Sequence, residues 1–186
     1  MRLQELAKSH EWCFAAEPES DLEFYESFYF FKSRPLERMT DLVSSKKGGM
    51  EWEICDVHFD EGAYMASEAY KITLGCIRLN QNIPKFTIEK KGLFDRYMPI
   101  VAHRDIDYVL YDDFSKDFVV KVENNESFQE FMTDEIHDLV EESQFHHLES
   151  NGSAILIFND QFKLAGLKEH DQLISFSKEL IRLLAK

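Results

Sequence analysis

A chain of 186 residues, 44% hydrophobic and 13% aromatic with sixteen Phe, can close one core by packing alone and is too apolar for intrinsic disorder. Its 35 acidic residues against 21 basic give a formal charge of −14, and Lys and Arg occur as scattered pairs such as Lys46-Lys47 and Lys90-Lys91. Nucleic acid and anionic membrane are therefore excluded as expected partners, while a protein partner or self-association stays open.

Cys13, Cys55 and Cys76 are widely spaced and form no C-x-x-C pair, which fits neither a disulfide framework nor a zinc knuckle. Free, mostly buried thiols follow. Met1 to Leu6 lacks the apolar run of a signal peptide, and nowhere do about 18 apolar residues follow one another, so the expected location is the cytoplasm. One domain over residues 1–186 is expected from the length.

In chain order, Leu3, Leu6, Ala7 and His10 repeat at helical spacing, and Trp12 and Phe14 alternate as a strand does. Residues 17 to 50 hold an aromatic cluster, Phe24 to Phe31, without a clean period of either kind. Cys55, Val57 and Phe59 then alternate with Ile54, Asp56 and His58, and Tyr70, Ile72, Leu74 and Cys76 repeat the pattern, which predicts an antiparallel pair of strands. Phe86 and Ile88 predict a further strand, Gly92 to Arg96 a turn into a short helix, and Phe118, Val120 and Val122 another strand.

Ser127 with Glu130 matches a capping box ahead of the apolar stripe Phe128, Phe131, Ile136, Leu139 and Val140, with Thr133 as a second cap midway. Asn151-Gly152 predicts a hairpin turn leading into Ala154 to Phe158, because the pair tolerates positive φ. Leu173, Phe176, Leu180, Ile181 and Leu184 predict a C-terminal amphipathic helix. Strands outnumber helices and do not alternate with them, so the expected architecture is α+β, an antiparallel sheet with helices packed on one face.

The order of Glu11-Trp12, Trp52-Glu53-Ile54-Cys55-Asp56, Pro84-Lys85-Phe86-Thr87-Ile88, Gly92-Leu93-Phe94-Asp95-Arg96, Asp105-Ile106-Asp107 and Asn151-Gly152 with Ile155 to Phe158 resembles a family of bacterial proteins of unknown function. The resemblance spans most of the chain and implies a soluble α+β domain. Some members of that family carry N-terminal membrane helices. It implies no activity.

Among groups able to do chemistry, Asp56, His58 and Asp60 fall on one face of one expected strand, about 7 Å apart in succession, and could contribute to a metal site if His103, Asp105 or Asp107 came near. A solvated strand face is the plainer reading. His103-Arg104-Asp105 matches the catalytic loop of protein kinases by chance, since Leu110 stands where the Asn is required. Asp105, Asp107, Asp112 and Asp113 suggest an acidic turn; Asp134, His137, Asp138 and Glu141 suggest the polar face of a surface helix. His146 and His147 point to opposite faces of an extended segment, so one packs and the other is wet.

No nucleophile elbow, phosphate loop, dinucleotide fingerprint or His-Glu-x-x-His helix is present, which lowers the expectation of an enzyme, and no cofactor is implied. The leading expectation is a non-catalytic interaction or ligand-binding domain with Phe24, Tyr25, Phe28 and Tyr29 as its contact, although core is the commoner destination for such rings. A metal-dependent hydrolase or metal-binding protein centred on Asp56, His58 and Asp60 is the alternative.

Overall fold

The computed structural model describes residues 2–19, 21–32, 34–47, 49–60, 69–91, 109–110, 114, 117–143, 145–159 and 163–185. Among these, nine strands form one antiparallel sheet: β1 (Cys13–Ala15), β2 (Leu36–Lys47), β3 (Met50–Asp60), β4 (Ala69–Arg78), β5 (Phe86–Lys90), β6 (Val109–Leu110), β7 (Phe118–Val122), β8 (His147–Ser150) and β9 (Ala154–Phe158). Their order across the sheet is β1-β2-β3-β4-β9-β8-β5-β7-β6. The helices are α1 (Arg2–Ser9), α2 (Leu22–Glu26), α3 (Tyr29–Lys32), α4 (Asn125–Phe131), α5 (Asp134–Glu142) and α6 (Leu167–Leu184).

Period-2 alternation sorts the strand residues onto two faces. Trp52, Ile54, Ile77, Phe86, Ile88, Ile155 and Ile157 join the first core, where they meet Ala7 of α1, Phe128 of α4, Ile136 and Val140 of α5, and Leu173, Phe176 and Leu180 of α6. The antiparallel α+β sheet thus carries its four longer helices, α1, α4, α5 and α6, on this face. α6 comes close at Gly75 of β4, where an added Cβ would stand 3.2 Å from Leu173. On the opposite face Cys55, Val57, Phe59, Ile72, Leu74, Cys76, Leu156 and Phe158 form a second core, capped by Tyr25, Phe28, Phe30 and Phe31 from α2, α3 and the turn between them.

The segment without a readable period contains β2, and the reason lies in its pairing with β3. Register shifts fall between Leu36 and Arg38 and between Thr40 and Val43, where Asp41 has φ of 53°. Each irregularity inserts an extra residue, so Leu36, Met39 and Leu42, three apart, all pack toward the second core. A spacing of three looks helical in the sequence; here two irregularities produce it within a strand.

The first helix, the β3–β4 pairing, β5, β7, the β8–β9 hairpin and α6 lie where the sequence predicts them. The turn at Gly152 has φ of 101°, and the Asn151 side chain accepts from Ser153 and Ala154 N–H at 2.9 and 2.8 Å. The capping box at Ser127 is corrected. Asn124 caps α4 by accepting from Ser127 N–H at 2.9 Å, so Ser127 is already in the first turn. Thr133 does cap again, accepting from Ile136 N–H, and the long stripe is split into α4 and α5. The turn at Gly92 and the connection between β3 and β4 lie outside the described residues.

Candidate functional site

Because Phe86, Ile88 and Leu148 face the first core, the residues that alternate with them are forced to the other face. β5 and β8 pair with Glu89 opposite His147 and Thr87 opposite Glu149. The result is a row of polar side chains beneath α3. His147 Nε2 lies 3.1 Å from Glu149 and Nδ1 lies 3.6 Å from Glu89. The imidazole stacks on Phe158 at 4.5 Å between ring centres, with Phe30 of α3 against it at 5.5 Å.

Glu149 also reaches the cap. Its carboxylate accepts the N–H groups of Tyr29 and, at 3.0 Å, of Phe30, the first two residues of α3. A negative charge there satisfies donors that a helix start leaves open and complements its dipole. Arg34, just beyond α3, donates to Phe30 O at 3.2 Å and lies over the Phe30 ring at 4.6 Å.

Burial pulls the His147 pKa down, but the hydrogen bond to Glu149 and the charges of Glu149 and Glu89 outweigh it and hold the ring at about 8. Burial pushes Glu89 up, and the nearby His147 ring, with the charges of Lys121 and Arg34, brings it below its ordinary value. The ring is therefore cationic at neutral pH. A carboxylate, imidazole and carboxylate set is general acid–base equipment. Here His147 and Glu149 are each 1% exposed and directed at one another.

A second polar tie holds the other end of the cap. Tyr25 O–H donates to Glu53 at 2.5 Å, and Arg78 donates to Glu53 at 3.2 Å and to Asp21, the N-cap of α2, at 3.3 Å. The Arg78 guanidinium also lies 3.6 Å from the centre of the Phe24 ring. Below them Cys55 and Cys76 are fully buried, and burial pushes both thiols well above their ordinary pKa. That quiets them as nucleophiles.

Of the residues singled out in the sequence, Asp56 is 9% exposed on the α6 side and accepts from Thr73 Oγ1 at 2.5 Å; Thr73 in turn accepts from Ala165 N–H at 2.8 Å. Burial raises the Asp56 pKa. His58, two residues on, is lowered by burial and by the charges of Arg38 and Lys71, neighbours that also oppose a metal cation. Asp60 pairs with Ala69 at the end of β3. Among the described residues no three His, Cys, Asp or Glu gather in a group able to hold a metal. His103, Asp105, Asp107, Asp112 and Asp113 lie outside the described residues.

Tyr25 and Phe28 are buried in the second core, whereas Phe24 and Tyr29 stay half-buried at the cap surface. On α5, His137 bonds Phe114 O at 3.0 Å and lies 3.7 Å from Asp138 and 4.0 Å from Glu141, a local surface arrangement. His147 packs while His146 is half-buried, as their alternation implies. Glu89 and Glu149 were not singled out in the sequence. The available signal was the charge at alternate positions between Phe86, Ile88 and Leu148, but nothing local showed that both would meet His147.

No protein-family model and no curated protein sequence matches the chain. Among solved structures it is similar to the crystal structure of the mycobacterial trehalose monomycolate transport factor A, TtfA, with a TM-score of 0.70 at 14% identity, covering 97% of this chain and 93% of that one. At that identity the likeness is one of fold, and it extends over nearly the whole length of both chains.

Proposed function

We propose that the chain is a non-catalytic binding domain that holds a protein partner or a second copy of itself. The carrying observation is that the described groups best placed for chemistry are engaged with one another: His147 with Glu89 and Glu149, sealed under α3, and Glu53 with Tyr25 and Arg78 above two buried thiols with raised pKa values. The whole-length likeness to a protein titled a transport factor supports a binding role over a catalytic one. Among the described residues no helix is long and apolar enough to cross a membrane.

Within this reading the contact centres on Phe24 and Tyr29, half-buried at the cap surface over the fully buried Tyr25 and Phe28. Large amphipathic rings at a rim suit an interface, and the location is proposed to be cytoplasmic. Two measurements test the proposal. Thermal unfolding with chelator and then with zinc, manganese, magnesium or calcium should leave the midpoint in place. An ion at 100 times its dissociation constant would add about 2.7 kcal/mol, roughly 5 to 11 °C, and a gain of that size abolished by His58→Ala would replace the proposal with a metal centre. Sedimentation velocity over a wide concentration range then reads self-association, which Phe24→Ser with Tyr29→Ser should weaken at temperatures well below the variant's own thermal midpoint, lowered because Phe24 also packs on Phe28 and under Arg78.

A further inference from the structure

Arg38, His58 and Lys71 form one row across β2, β3 and β4, since Arg38 pairs with His58 and His58 with Lys71. Their chain neighbours Met39, Val57, Phe59 and Ile72 face the second core, so alternation sends all three side chains to the α6 side of the sheet. The helix stops short of them. Its N-terminal approach lies over Thr73, whose Oγ1 accepts from Ala165 N–H, and Lys71 stands two residues further out; Arg38 and Lys71 are exposed and His58 is half-buried. We infer that this row is a binding site for the phosphate group of a small molecule, held between Arg38 and Lys71 over the His58 ring.

A register shift makes the row. β2 and β3 pair at Leu36 and Phe59, and an unbroken ladder would next set Glu37 opposite His58, an acid beside the imidazole. The shift between Leu36 and Arg38 sets Arg38 there instead, while seating Met39 in the second core. Like charges directly opposite one another on neighbouring strands repel, so the row costs stability that an anionic ligand restores. The chain has 35 acidic residues, yet among the described residues none stands within ion-pair distance of Arg38 or Lys71, whereas Arg78, Lys85 and Arg182 each pair with an acid. Burial, then the charges of Arg38 and Lys71, lower the His58 pKa, and Asp56 and Glu37 oppose them with less effect. The ring thus sits in a locally positive field within a protein of net charge −14.

The ligand class follows from the charge count. Arg38 and Lys71 are cationic at neutral pH, and the neutral His58 ring adds one N–H donor. A phosphate monoester brings close to two negative charges and three acceptor oxygens, one for each member of the row. A single carboxylate leaves one cation unbalanced. Neighbouring strands stand about 4.8 Å apart, so Arg38 and Lys71 are about 10 Å apart at the backbone, a span that their long side chains close over the shorter imidazole. The net negative charge repels polyanions at long range, which favours a small ligand over a nucleic acid. The row lies on the face opposite Phe24 and Tyr29 and stands whether or not those rings make a contact.

Titration of the full chain with inorganic phosphate at constant ionic strength, followed by NMR at the backbone amides and the His58 ring, tests the site. Saturable shifts centred on Arg38, His58 and Lys71 are expected, with the His58 pKa rising as the dianion binds. Acetate at the same ionic strength should give no saturation there. Arg38→Gln and Lys71→Gln, each at an exposed position, should weaken phosphate about tenfold or more and leave the unfolding midpoint in chloride unchanged or raised. Phosphate shifts that never saturate, that saturate elsewhere, or that survive both substitutions overturn the site. Acetate binding as tightly as phosphate overturns it equally, since the row would then select no phosphate. Should either variant fail to fold, the wild-type His58 titration decides: a ring pKa indifferent to phosphate rejects the site.

Discussion

On the α6 side of the sheet, Ile54, Ile77, Ile155 and Ile157 meet Leu173, Phe176 and Leu180, and closure follows from apolar area removed from water. On the other side two helices of five and four residues cover Cys55, Val57, Phe59, Leu74, Leu156 and Phe158. Helices that short have little stability of their own. Their rings pack, but they are also tied at both ends by ionic groups: Asp21 and Tyr25 to Arg78 and Glu53, Tyr29 and Phe30 to Glu149. The difference teaches that one sheet can be sealed by area on one face and by area plus buried charge on the other.

The largest effects come from cutting each seal at its centre. Phe128→Ala, at a ring with no exposure, should cost about 3 to 5 kcal/mol, equally at pH 6 and pH 9. Glu149→Ala should cost a similar amount, about 3 to 5 kcal/mol, because it strands a buried cation and two N–H groups. That loss should be larger at pH 6, where His147 carries its proton, than at pH 9. Glu149→Gln, which keeps an acceptor for α3, should recover part of it. Denaturant unfolding at the two pH values checks all three variants, and a loss at Glu149 that is indifferent to pH breaks the comparison.

The second tie is weaker because one side of it is open to solvent. Tyr25→Phe removes a hydrogen bond to a charged group while keeping the ring, so about 1.5 to 3 kcal/mol is expected, or roughly 3 to 12 °C in midpoint for a chain of this length. A fall in this range accompanied by lost amide protection in α2, with α6 unchanged, would assign the bond to the cap. Smaller again is Phe24→Leu, which keeps an apolar contact but removes the face under Arg78, for about 0.5 to 1 kcal/mol measured in the same scan.

The two seals were unequally legible. The apolar closure could be read because it repeats: β3, β4, β7 and α6 each carry their period over several residues of local sequence. β2 carried no readable one, since two irregularities break its alternation. The ionic closure joins Glu89, His147 and Glu149 to Tyr29 and Phe30, more than a hundred residues apart in the case of Glu149, and has no period at all. The aromatic segment announced its rings but not their division into four buried and two half-buried, which depends on where two short helices meet the sheet. The alternation of His146 and His147 was a local trace of the ionic closure, and it told that the two rings part without telling what either meets.

Asp56 sharpens the comparison from the opposite direction, as a buried acid on the face that is otherwise closed by area. Thr73 satisfies one of its oxygens, yet burial still raises its pKa, so its charge opposes folding at neutral pH. Ionising Asp56 costs more in the folded chain than in the unfolded one, and stability falls as pH rises toward its folded pKa. Asp56→Asn keeps the acceptor for Thr73 and removes the charge, so the variant should gain stability at pH 8 and lose that advantage on acidification. Paired unfolding curves at pH 8 and pH 4 read the difference. A variant less stable than wild type at pH 8 would mean that the carboxylate is held there by favourable contacts, and that the α6 face also depends on a charge.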